Sequence, residues 1–214
     1  MPLHSPRLLR FGLGLVCAPL IFAHEVDQSQ LIAEMAEKAN TLLDSLNEEK
    51  REAASLPFAD DERENFHYVP LDRQGALYKD MTAVQRSNTL QLLHTALSDS
   101  GSMKALQIMQ LEAVLAEIEN DPERRDPEKY WIAIFGTPGE LPWGWRFEGH
   151  HLSVNQTITQ HGISGTPLFF GANPGKVLAG PQKGRRVLAD AEDRGRKFVL
   201  SLSPEQRSRA IIAN

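Results

Sequence analysis

Glu148, His150 and His151 crowd into one stretch, PWGWRFEGHHLSVN, two positions after Arg146. Imidazoles and carboxylates are the donors of a transition-metal site, which needs three or four of them converging. His150 and His151 are therefore the candidate metal ligands, for a transition-metal ion. Glu148, His151 and Arg146 are the candidate catalytic residues, since a carboxylate or imidazole beside an arginine suits acid–base work. Adjacent side chains on a strand point to opposite faces, so the two histidines would share one ion only where a turn distorts the strand. The plainer expectation is one buried, hydrogen-bonded histidine and one at the surface.

Other candidates are weaker. His67, with Asn65 and Tyr68, follows the acids Asp60, Asp61, Glu62 and Glu64. Such a cluster suits a hard cation or a general base. It lacks the oxygen spacing and sixth-position glycine of a calcium loop, and a solvated acidic loop is the simpler reading. Glu112 borders the apolar stripe of Ile108, Leu111 and Leu115. A carboxylate there must be paired, protonated or at the stripe's edge, and the edge is the expectation. Asn173 reads as a turn residue, and Asn155-Gln156-Thr157 as a glycosylation sequon lying in mid-strand. Lys183, Arg185 and Arg186 read as a solvated helix start. No glycine-rich phosphate loop, nucleophile elbow, HExxH helix or cysteine pair occurs.

The elements that must position these residues follow from periodicity. Leu31, Met35, Ala39, Leu42 and Leu46 recur in steps of four and three, which predicts one helix from Gln30 to about Ser55. Thr82 and Gln85 form a capping box that opens a helix running through Leu97. Another is predicted from about Ser102 to Glu119, closed off by Pro122 and Pro127. WIAIF at 131–135 is strand-prone, and the stretch after it alternates with period two. With Glu148-Gly149 as a two-residue turn, Phe147 faces His150 and Trp145 faces Leu152. Trp143, Trp145, Phe147, Leu152, Val154 and Ile158 then share one face, and Arg146, His151, Ser153, Asn155 and Thr157 the other. A third strand at about 163–170 and an amphipathic helix carrying Val187, Leu188, Ala191, Phe198, Val199 and Leu202 complete the pattern. Ser203-Pro204-Glu205-Gln206 starts a last helix. The class is α+β, amphipathic helices on a central antiparallel sheet or meander.

Composition narrows the function. The 214 residues, 41% hydrophobic and 24% charged, suit a folded domain rather than a disordered chain. A formal charge of −5 argues against nucleic acid as a partner. Arg7 and Arg10 precede an apolar run of about 13 residues ending at Ala23. That run is too short to span a membrane core of roughly 30 Å and predicts a secretory signal peptide at 1–23. Cleavage before His24 would remove Cys17, the only cysteine, and move the charge from −5 to −7. The mature protein is then periplasmic or extracellular, a single α+β domain over 24–214 with no stable membrane span.

Several stretches carry a resemblance: LPFADDERENFHYVP, GALYKDMTAVQR, KALQIMQLEAVL, FGTPGELPWGWRFEGHHLSVNQT and TPLFFGANPGKVLAGPQKGRRVLADAEDRGRKFVLSL. From about residue 30 to the end, the chain resembles the domain of unknown function number 3500. The resemblance implies an exported protein with no established reaction. It also implies a longer domain, with a second Asn-His-x-His stretch near its end that is absent from this sequence. The expectation is an amino-terminal portion, any site shared with the missing carboxy-terminal part being incomplete. Two functions follow from these readings. One is an exported metal-binding or metal-dependent protein using His150 and His151. The other is a non-catalytic binding protein whose polar sheet face takes a small molecule or a protein. A metal-free enzyme with Glu148 or His67 as base is a third.

Overall fold

A computed structural model describes residues 28–213; the predicted signal peptide and Cys17 lie outside the described residues. The fold is α+β, with six helices and a mixed seven-stranded sheet among those residues. The predicted first helix divides in two, α1 (Ser29–Ser45) and α2 (Glu48–Ala54). Asn47 causes the break: its backbone is extended and its side chain accepts from the Lys50 N–H, with Glu48 and Glu49 in the new first turn. α3 (Ala83–Ala96) begins at the predicted capping box. α4 (Asp99–Glu119) starts earlier than expected, because Ser98 caps it by accepting from the Gly101 N–H.

Three long strands form the middle of the sheet, β3 (Tyr130–Phe135), β4 (Trp143–Gly149) and β5 (Leu152–Thr159). Short strands finish each side. β1 (Ser55–Leu56) and β2 (Ala76–Leu77) share the outer edge of β3, while β6 (Gly162–Ser164) and β7 (Leu168–Phe170) share that of β5. β1 runs parallel to β3, so the sheet is mixed where a purely antiparallel one was expected. The single strand predicted at 163–170 is interrupted at Pro167, which has no N–H to give a ladder.

The β4–β5 hairpin differs from expectation in one instructive way. Its turn is His150-His151, with Gly149 opposite Leu152, Phe147 opposite Val154 and Trp145 opposite Gln156. Glu148 and Gly149 are the end of β4 instead of the turn. The turn moves by two residues, an even number, so every predicted side chain that lies on a strand keeps its face; His151, predicted on the polar face, lies in the turn instead. Gly149 serves close packing: a Cβ there would lie 2.3 Å from the Tyr130 ring. His151 makes the turn, with φ 58°.

One sheet face, with Trp143, Trp145, Phe147, Leu152, Val154 and Ile158, packs against Met35, Ala39 and Leu42 of α1, Leu92 and Leu93 of α3 and Ile108 and Leu111 of α4. The opposite face carries Arg146, Glu148, Ser153 and Asn155, which are buried as well. α5 (Ala189–Ser201) departs from the predicted packing. Val187 is buried and Leu188 touches the core, but no residue of α5 is buried. α6 (Pro204–Ala210) has the predicted capping box, Ser203 with Gln206.

Candidate functional site

The polar sheet face is closed by the segment between β1 and β2. Its anchor is a row of alternating charges, Glu62, Arg146, Glu148 and Arg73. Arg146 pairs with the Glu62 carboxylate and donates to the Glu62 and Asn65 carbonyls at 2.7 and 3.0 Å. Its Nε lies 3.7 Å from Glu148. Arg73 Nε donates to the same carboxylate at 2.5 Å, and Ser153 Oγ donates to it at 2.7 Å. The rest of the Arg73 guanidinium spans the carbonyls of His67, Val69, Leu71 and Gly149. Asn155 donates to Ser153 Oγ and the Pro167 carbonyl. Glu148 and Arg146 thus have their hydrogen-bonding capacity committed to holding a loop. The sheet face is closed around Glu148, which is 0% exposed, and a cavity of about 260 Å³ remains farther along it, touching Phe135, Asn155, Thr157 and Arg63. Glu62 leaves the predicted acidic loop to join this row, whereas the His67 side chain is exposed.

The two histidines meet a different set of partners at the turn. Their ring centroids are 4.1 Å apart, because the turn bends both away from the alternation of a strand. His150 Nδ1 pairs with the Glu112 carboxylate, which is buried and paired rather than at the edge of its stripe. Arg125 Nη1 approaches His150 Nδ1 at 3.3 Å and Glu112 at 3.8 Å, while its other nitrogens form a fork with Glu119 at 2.8 and 2.9 Å. That fork holds the Glu119 carboxyl below its ordinary value and raises Arg125. Tyr130 donates its O–H to the His150 carbonyl at 2.8 Å, and burial pushes its phenol well up. A small cavity of about 30 Å³ touches His150, Glu112, Arg124, Lys129 and Trp131, room for one water.

His151 is the odd member. The Tyr68 and Phe169 rings both lie 6.3 Å from it, and they in turn are 5.7 Å apart. Its backbone is fully used, the N–H donating to the Tyr68 carbonyl and its carbonyl accepting from Gly171. Its Nδ1 is buried with no hydrogen-bond partner. Burial, reinforced by the neighbouring His150 and Arg125 charges, lowers its pKa to about 4, so the ring is neutral at pH 7. The left-handed backbone is unusual for a residue other than glycine. Strain and an orphaned polar atom at one residue mark the place where this fold gives up stability.

The low pKa sets a pH dependence with a definite sign. His151 titrates near 6.5 unfolded and near 4 folded, so the unfolded chain takes up its proton first. Its contribution is complete above about pH 6.5 and is lost as the pH falls from there towards about 4. The full shift corresponds to about 3 kcal/mol, reduced by solvent screening at this part-exposed ring to about 1–2 kcal/mol. Urea unfolding from about pH 7 to about pH 4 should show that loss in the wild type and a flatter profile in His151→Gly. Identical profiles would sink the assignment.

Among the described residues, no three His, Cys, Asp or Glu side chains are grouped to hold a metal ion. The other sequence candidates are structural. Asn173 lies in the loop before a cis proline, the sequon sits inside β5, and Arg186 pairs with Glu192 and Asp193 at the start of α5. Arg73, Arg125 and Phe169 were not legible as site residues, since nothing in their local sequence separates them from ordinary loop and strand positions. An apolar groove of about 750 Å³ between α1, α3 and α4, floored by Leu90, Leu93 and Leu106, brings none of the candidate residues together.

No helix among the described residues is long and apolar enough to cross a membrane. No curated protein and no solved structure matches the chain. A family does, and its match runs over residues 28–214, taking in both the hairpin and the segment that covers it. The chain belongs to the family described as Protein of unknown function (DUF3500).

Proposed function

We propose that the protein is exported, periplasmic or extracellular, and that it is a non-catalytic binding protein whose ligand site is the His150–His151 turn. The observation that carries this reading is the unpartnered Nδ1 of His151 in a strained, left-handed residue beside Tyr68 and Phe169. A neutral imidazole flanked by aromatic rings suits a small molecule or side chain with an apolar face and one hydrogen-bonding group. Tyr68, 52% exposed, is the group free to swing aside and admit it. Ser153 is committed to Glu148 and the Tyr130 O–H to the His150 carbonyl, which supports binding at the turn.

A transition-metal ion on His150 and His151 is the second reading, favoured by the 4.1 Å approach of the two rings. His150 Nδ1 is taken up by Glu112 and Arg125, so Nε2 is the nitrogen through which His150 would hold an ion. Phenol serves as the probe for the first reading and Zn²⁺ for the second, both followed by NMR of the histidine rings and Tyr68. Phenol is expected to shift His151 and Tyr68 saturably in the wild type and not in His151→Gly, while metal content after purification stays well below one ion per chain. Stoichiometric metal that disappears in His150→Ala/His151→Ala would replace the first reading with the second. No response to phenol, or an equal response in His151→Gly, would overturn the first outright.

A further inference from the structure

α5 is 13 residues long and none of them is buried. An isolated helix of that length is marginal in water and is stabilised mainly by a surface to lie against. Phe198, 64% exposed, sits one turn after Arg194 on the same helix side. Two of the three acids of α5 are engaged elsewhere: Glu192 and Asp193 are held by Arg186, and Arg196 reaches back to Glu192, while Asp190 lies in the first turn, one turn before Arg194. Arg194 and Lys197 take part in no ion pair among the described residues, so α5 offers outward an aromatic ring flanked by positive charge.

A surface of opposite character lies at the C-terminal end of α4. A groove of about 450 Å³ runs between Val114 and Ile118 on one side and Pro174 and Leu178 on the other, with Glu117 on its rim. Ile118 and Leu178 are 64% and 75% exposed, and the groove has room for a phenylalanine ring. Glu117 is in no ion pair among the described residues. The last turn of α4 holds no basic residue to offset the negative end of its dipole. Lys176 is the cation on the same rim.

We propose that the chain binds a second copy of itself, with Phe198 of one copy seated between Ile118 and Leu178 of the other and Arg194 against Glu117. Charge complementarity selects a second copy: α5 carries Arg194 one turn before the exposed ring and Asp190 one turn before that, the apolar groove carries Glu117 and a negative helix end with Lys176 on the same rim, and both surfaces belong to one chain. A two-fold axis repeats the contact and covers both surfaces in each copy.

Sedimentation velocity over a wide range of protein concentration tests this association. The sedimentation coefficient is expected to rise with concentration. Phe198→Asp should weaken self-association roughly a hundredfold, and Arg194→Glu or Glu117→Arg roughly tenfold each. Combining Arg194→Glu with Glu117→Arg restores the ion pair in reverse and should recover most of the lost affinity. All three side chains are exposed, so circular dichroism and thermal midpoint should stay at wild-type values. A monomer at every concentration overturns the proposal and leaves the face to a different partner. A reversed pair that is as weak as its two single changes compounded overturns the register.

Discussion

Glu148→Ala is expected to destabilise the protein by about 3–5 kcal/mol, a large part of the roughly 5–15 kcal/mol that holds a domain of this kind together. The Glu148 carboxylate lies between two guanidiniums, and the side chains of Glu148, Arg73 and Arg146 are 1%, 3% and 2% exposed. Removing it leaves two buried cations. Arg146 keeps Glu62, but Arg73 then has only backbone carbonyls as partners. Breaking one member of a buried ion pair is far worse than never having had the pair, because the surviving charge stays out of water unneutralised. The released unit is the segment around residues 57–75, which the row of charges clamps to the sheet. Urea unfolding measures the loss, and limited proteolysis should show new cleavage in that segment. A double-mutant cycle with Arg73→Met should give a coupling above about 1 kcal/mol. A loss below about 1 kcal/mol with unchanged proteolysis would mean that the network is ornamental.

Gly149→Ala comes next, at about 2–3 kcal/mol. An added Cβ would sit 2.3, 2.5 and 2.7 Å from three atoms of the Tyr130 ring. That ring cannot step aside. It stacks on Phe147 at 5.6 Å and 16°, and its O–H is tied to the His150 carbonyl. The disturbance therefore passes into the turn, and NMR should show shifts at both histidines as well as a lower unfolding midpoint. Gly175→Ala is the control: nothing lies within 4 Å of its added Cβ, and a change within about 0.5 kcal/mol is expected. Equal effects at the two positions would refute the packing role of Gly149.

These two neighbours show where sequence reading succeeded and where it slipped. The alternation of Trp143, Trp145 and Phe147 against Arg146, Ser153 and Asn155 assigned these side chains to their faces, and the structure keeps that assignment. The turn was misplaced because glycine has two uses that look alike in a sequence, a permissive backbone and an absent side chain. At Gly149 the second applies, and the reason is Tyr130, nineteen positions earlier and on another strand. Arg73 and Glu148 are likewise 75 positions apart, and no local pattern pairs them. Glu112 could be recognised as a carboxylate needing an explanation. That its partners are His150 and Arg125 depends on where α4 crosses the end of the hairpin.

The sequence by itself determined the α+β class, the capping boxes at Thr82 and Ser203, the family and the two faces of the central hairpin. Each follows from periodicity, caps or an ordered string of residues, all of which act over a few positions along the chain. Only the tertiary structure decided that Glu62, Arg146, Glu148 and Arg73 form a buried ionic seam on the polar face, that His150 is held in a pair with Glu112, and that His151 is left with an unpartnered nitrogen. Burial and partnership arise between segments far apart in sequence, and a charge shows which role it holds only when its opposite is brought beside it.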